Sequence, residues 1–321
     1  MQSPELALLS LPFDVLGKAL HYLDLRSLLV LAQANRQFNY IVYNTSHLWY
    51  RLDLLLFRRS LRDEDFRALT DRVAAFVRNI DLTGCNMVTV KSIRRFIAKG
   101  RLEKLVIKGH CQLGDISSLA SPACSRGGTL GLTQSVGGDQ TFVCPTVRHV
   151  DFSHSSQPLI DEESLRWYAE RFPNLRWLSV AHTPIGARVG GTLRQCVHLE
   201  WLDVSGTSVG EADDVEKLAR GCPKLKGLVM SECVSVDDRG LEVLGRWAEN
   251  LETLVIDGCR RVSNRGVLIL GGCRQLRYLN IRNCRDVDPA ALNQLSQVTA
   301  LEKALGPLGK WRFWVKSGVP A

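Results

Sequence analysis

A six-residue segment with apolar residues at its first, fourth and sixth positions recurs along the chain. The copies are Val77/Ile80/Leu82, Leu102/Leu105/Ile107, Val147/Val150/Phe152, Leu175/Leu178/Val180, Leu199/Leu202/Val204, Leu225/Leu228/Met230, Leu251/Leu254/Ile256 and Leu276/Leu279/Ile281. Their starting positions step by 25, 45, 28, 24, 26, 26 and 25 residues. Side chains alternate across a strand, so each segment predicts a short strand with its fourth and sixth residues inward and its third and fifth outward. Three residues after the sixth position stands a small polarisable or hydrogen-bonding side chain: Cys85, Ser155, Thr183, Thr207, Cys233, Cys259 or Cys284. That place lies where the chain leaves the strand, and such a side chain can satisfy backbone groups there. A short apolar contact follows (Val88, Val209, Val236, Val262, Val287), and then a predicted helix. Asp237 or Asp238 caps the helix carrying Leu241 and Leu244; Ser263 or Asn264 caps the one carrying Val267 and Leu270.

All but one of these steps fall within the roughly 20–29 residues of a leucine-rich repeat. The expected fold is α/β: a curved solenoid with parallel strands on the concave face and helices outside. No unit stands alone, because its neighbours supply half of its core. The run Gly221-Cys222-Pro223-Lys224-Leu225 and the repeated cysteines resemble the cysteine-containing subclass of these repeats. The long step carries about twenty extra residues within Gly109–Cys144, and its glycines and serines read as a loop insertion. After Asn293 the pattern fades, and Lys310-Trp311-Arg312-Phe313-Trp314 reads as part of an apolar cap.

Residues 8–54 do not fit the repeat. Leu16, Leu20 and Leu23 share one helical face, as do Leu28 and Leu31 with the turns beside them. Pro12 suits a helix start, and Asp24 with Ser27 suits a break and a new cap. A three-helix unit follows, too small to bury all its leucines, so that it leans on something else. Leu11-Pro12, Asp14-Val15-Leu16, Tyr22-Leu23, Ser27-Leu28-Leu29, Asn35-Arg36 through Phe38, and Leu48-Trp49 resemble an F-box. Asn35 and Phe38 depart from it, standing where Cys and Trp are common; both substitutions keep the helix and bear on adaptor packing. Trp49, Leu52 and Leu54 also fit the repeat segment, 28 residues before Val77, which implies a rigid junction. The resemblance implies binding to the Skp-family adaptor of an SCF-type ubiquitin ligase and, through it, to cullin and RING subunits. The residues expected at that contact are Leu11, Pro12, Val15, Leu16, Leu20, Leu23 and Leu28, about half of them internal core.

Composition adds exclusions. The 321 residues are 45% hydrophobic and 23% charged, as in an ordinary globular chain. The start lacks a basic region followed by an apolar stretch, and no apolar run approaches the ~20 residues that span a bilayer. A cytosolic or nuclear setting without membrane contact is expected, and the Asn44-Thr45-Ser46 sequon is then accidental. The net charge of +8 raises nucleic acid, yet the basic residues are scattered, so no phosphate-binding surface is expected. Cys85, Cys233, Cys259 and Cys284 share one repeat position, and Cys196, Cys222 and Cys273 another. Without pairs two to four residues apart this is a structural pattern, with no metal expected. No nucleophile elbow or phosphate loop is present, so neither catalysis nor a cofactor is expected.

The outward third positions read Asn79, Lys104, His149, Trp177, Trp201, Gly227, Thr253 and Tyr278. His149, Trp177, Trp201, Asp203 and Tyr278 form the expected substrate surface, an aromatic patch with a polar rim. The chain thus divides into an F-box at 8–54, about nine strands of repeats over 49–298, and a cap or tail at 299–321. The expected function is substrate capture for a ubiquitin ligase. A repeat scaffold uncoupled from ubiquitination is the alternative.

Overall fold

The computed structural model describes residues 13–109, 143–155, 162–186 and 188–313. Leu11 and Pro12, most of the 109–144 insertion, and Trp314 with the rest of the tail lie outside them.

The chain opens with three helices: α1 (Phe13–Leu20), α2 (Leu25–Ala34) and α3 (Arg36–Asn44). The breaks between them are capped. The carboxylate of Asp24 accepts the Ser27 N–H at 2.7 Å, and the amide oxygen of Asn35 accepts the Phe38 N–H at 2.8 Å. Asn35 is therefore a helix cap, which a Cys there would serve less well. Trp49 closes the unit. It is 1% exposed, stacks on Tyr43 at 5.6 Å and donates its indole N–H to the Val42 carbonyl.

Nine strands coincide with the nine repeat segments: β1 (Arg51–Asp53), β2 (Asn79–Asp81), β3 (Lys104–Val106), β4 (His149–Asp151), β5 (Trp177–Ser179), β6 (Trp201–Asp203), β7 (Gly227–Val229), β8 (Thr253–Val255) and β9 (Tyr278–Asn280). All pair in parallel, in sequence order and without slippage. Helices follow the strands on the other face: α4 (Asp63–Val73), α5 (Val90–Lys99), α6 (Glu162–Arg171), α7 (Val189–Leu193), α8 (Ala212–Gly221), α9 (Asp238–Trp247), α10 (Asn264–Ile269) and α11 (Pro289–Val298). Strands stack ~4.8 Å apart while helices need ~8–10 Å, so the sheet becomes the inner side of a curved leucine-rich-repeat solenoid. The fourth and sixth residues of the eight segments from Val77 onward are at most 1% exposed.

The pattern does not fade after Asn293. Leu301-Glu302-Lys303-Ala304-Leu305-Gly306 is one more copy, 25 residues after Leu276, and forms a tenth parallel strand, β10 (Lys303–Leu305). Ala304 and Gly306 fill the fourth and sixth positions with little apolar bulk, and so the copy is weak in the sequence. A turn at Gly306–Gly309 then reverses the chain into the antiparallel strand β11 (Trp311–Phe313).

The cysteines are parts of the ladder. The thiols of Cys85, Cys233, Cys259 and Cys284 donate to the carbonyls of Leu54, Val204, Met230 and Ile256, each the sixth residue of the preceding strand segment. Thr183 and Thr207 reach instead to the sixth residue of their own segment, Val180 and Val204. Cys222 and Cys273, with Cys144 at the same place, donate to helix carbonyls one repeat earlier (Leu193, Leu244 and Ile97). Capping also resolves: Asp237 and Ser263 are the caps of α9 and α10, whereas Asp238 accepts from Ser263 of the next repeat.

Candidate functional site

Two surfaces are candidates. The first belongs to the helical unit. Of the residues expected there, Val15 and Leu23 are 47% and 40% exposed, whereas Leu16, Leu20 and Leu28 are at most 4% exposed. Those three are internal: they face the packing of α1 to α3 and give the unit its shape rather than offer contact. Tyr22, Val30 and Tyr40 are exposed as well, at 89%, 61% and 64%. Val30 and Tyr40 are absent from the residues expected at the contact, although their phase against buried Leu28, Ala32 and Ile41 places them outward.

The unit is joined rigidly to the repeats. The Tyr50 carbonyl accepts the backbone N–H groups of Arg78 and Asn79, and Leu54 donates to Asp81, so the sheet ladder begins where the helices end. Arg72 of α4 lies 4.7 Å over the Tyr43 ring and fastens the same junction.

The second surface is the concave face. His149 and Trp177, in register on β4 and β5, stack with ring centroids 3.9 Å apart and planes within 6°. His149 titrates far below its ordinary value, at about 4, because its ring is buried by the stack and the Lys104 ammonium stands nearby. It is neutral at physiological pH, and the stack is therefore an uncharged one. Trp201 is in register with Trp177 on β6. Its indole lies over β7, where a methyl group on Gly227 would come within 2.0 Å of Cε3. Glycine at the third position of β7 is what lets the ring lie there.

Asp203 follows Trp201 by two residues and faces the same way. Its Oδ1 accepts both the N–H and the hydroxyl of Ser205, at 3.0 and 2.7 Å. This is a repeated device: Asp53, Asp81, Asp151, Ser179 and Asn280 accept the N–H two residues on in the same manner. Part of the polar rim expected of Asp203 is therefore a turn. The fifth positions are also less open than alternation implies, since Val106, Asp151 and Ser179 are at most 5% exposed. Tyr278 is apart from the others, on β9, three strands beyond Trp201. Lys303 of β10 sits 5.4 Å over its ring. The structure thus brings His149, Trp177, Trp201 and Asp203 together and leaves Tyr278 separate. Among the described residues no group of three or more His, Cys, Asp or Glu side chains is placed to hold a metal. No described helix is long and apolar enough to cross a membrane.

Residues 8–55, which span the N-terminal helical unit, match the family model described as F-box-like. Two solved structures are similar to the chain. One is from the yeast Rad7–Elc1 complex, at a TM-score of 0.48 and 14% identity, covering 91% of this chain and 85% of that one. The other is internalin C2 of Listeria monocytogenes, at a TM-score of 0.48 and 15% identity, covering 73% of this chain and 81% of that one.

Proposed function

We propose that this chain is a non-catalytic substrate receptor of an SCF-type ubiquitin ligase, working in the cytosol or nucleus. Its helical unit docks on a Skp-family adaptor, which brings cullin and RING subunits, and its concave face holds the protein to be modified. The observation that carries the reading is the F-box-like match over residues 8–55, on a unit that keeps Val15, Tyr22 and Leu23 in solvent. Apolar side chains laid into a partner's groove are how helical units of this size are held. The rigid junction adds to it: a substrate on the solenoid is presented at a fixed angle to whatever the helical unit binds.

The test is co-purification of the full chain with a Skp-family adaptor. The wild type is expected to form a stoichiometric complex, and Val15→Asp with Leu23→Asp to weaken it about a hundredfold, since buried apolar contacts are replaced by desolvated charge. Both side chains are about half exposed, and thermal midpoints measured alongside separate lost binding from lost folding. A folded wild type that fails to bind the adaptor overturns the ligase reading and leaves a repeat scaffold in its place.

A further inference from the structure

Asp203 differs from the side chains at equivalent places along the ladder. On β4 the corresponding carboxylate, Asp151, meets the ammonium of Lys108 at 2.7 Å. Lys108 stands two residues after β3, on the strand before; at the same offset from Asp203 the residue two after β5 is Ala181, buried and without a cation. Oδ1 of Asp203 is engaged by Ser205, and no cationic side chain of the described residues pairs with Oδ2. Asp53 and Asp81, at the same ladder position, have Arg51, Asn79 and Lys104 beside them instead of indoles.

The two tryptophans beside Asp203 diverge. Their backbones are in register, ~4.8 Å apart, which would let the rings stack on each other. Instead Trp177 stacks on His149, and Trp201 lies over Gly227. Neither indole N–H is bonded within the described residues. The two indoles thus lean to opposite sides of the β5–β6 pair, and one carboxylate oxygen of Asp203 is left over on the strand they flank.

We propose that Trp177, Trp201 and Asp203 receive an arginine side chain of the captured protein, its guanidinium against the indoles and paired with the Asp203 carboxylate. This rests on the reading of the concave face as the substrate surface. The planar guanidinium suits it better than ammonium, because it stacks on an aromatic face and presents a fork of donors to a carboxylate. The guest cation takes the place beside Asp203 that Lys108 fills beside Asp151.

The experiment uses the full chain and immobilised pools of short random peptides whose central residue is arginine, lysine or citrulline. Citrulline keeps the shape of arginine and removes its charge. The arginine pool is expected to retain about tenfold more protein than the citrulline pool, with lysine between. Asp203→Asn should abolish the preference without harming the fold, because Asn280 makes the same turn on β9 with an amide oxygen. Ala181→Lys, which plants an internal cation beside Asp203, should abolish it too, and Tyr278→Ala should leave it intact. Thermal midpoints measured alongside separate lost recognition from lost folding. Equal retention of arginine and citrulline, or an arginine preference that survives Asp203→Asn, overturns the proposal. Adaptor binding is read independently: its failure removes the ligase reading and not the peptide preference, and the reverse holds as well.

Discussion

At the scale of the residue, the same side chain does different work according to what its neighbours leave open. The histidine of the aromatic stack shows this through its proton. His149 is held at about 4 by burial first and by the Lys104 charge second, with Asp151 opposing. Unfolded, the imidazole returns to about 6.5. Between these values the unfolded chain binds more protons than the folded one, so this group's contribution to stability falls as pH drops from about 6.5 towards 4. Trp177 supplies much of the cover. In Trp177→Ala the His149 resonance should titrate well above 4, yet short of 6.5 because Lys104 remains; an unchanged titration by NMR would show that the stack does not bury the ring. The thiols follow the same logic of burial. Cys196, Cys273 and Cys284 are pushed up to about 12, each chiefly by desolvation, and are therefore not nucleophiles at neutral pH. Their repeat spacing already said structural, but the carbonyls that Cys273 and Cys284 satisfy belong to the preceding repeat, and no single repeat's sequence displays that.

At the scale of the element, what was readable was whatever periodicity encodes. Eight of the ten parallel strands were marked by bulky residues at the first, fourth and sixth places, and β1 by Trp49, Leu52 and Leu54. The tenth was hidden because Ala304 and Gly306 hold two of the three places. The site was only partly readable for a related reason. Alternation says that Trp177 and Trp201 face outward, yet the way Trp201 leans depends on Gly227, one strand further on, and the way Trp177 leans on His149, one strand back. Helix packing depends on glycine as well, and equally escapes a reading by hydrophobic pattern. Gly272 faces Gly245 of the preceding repeat so closely that a methyl group would lie within 1.9 Å of the Gly245 carbonyl oxygen. That obstacle is backbone and has no rotamer by which to yield. Gly272→Ala should therefore lower stability by about 1–3 kcal/mol, the range of forced overpacking. Gly191→Ala, whose added methyl meets only the Lys217 side chain at 3.8 Å, should be neutral or slightly stabilising as a helical Gly-to-Ala change. Urea midpoints of the two variants test this; equal midpoints would mean that the helices separate at little cost.

At the scale of the whole molecule, a stack of repeats has two ends, and each exposes half a core unless something closes it. The front is closed by the helical unit, through Trp49 and the bonds from Tyr50 to β2. The rear is closed by β10 and by the reversal into β11, since a further parallel strand would have required another helix. Beneath that hairpin Leu276, Leu279, Ile281, Leu292 and Leu295 are all 0% exposed. Removal of residues 299–321 uncovers them on one side, and each fully uncovered side chain would forgo ~1.5–3 kcal/mol. Because each repeat contacts only its neighbours, the loss should stay local: the shortened chain keeps β2 to β6 while β9, and then β8, fray. Hydrogen exchange should show protection lost from Tyr278–Asn280 and kept at Asn79–Asp81, and gel filtration should show self-association through the bared leucines. Full protection at β9 in the shortened chain would mean that the hairpin is an ornament of the solenoid and not its cap. Uniform loss across all strands would mean that the stack folds as a single cooperative body.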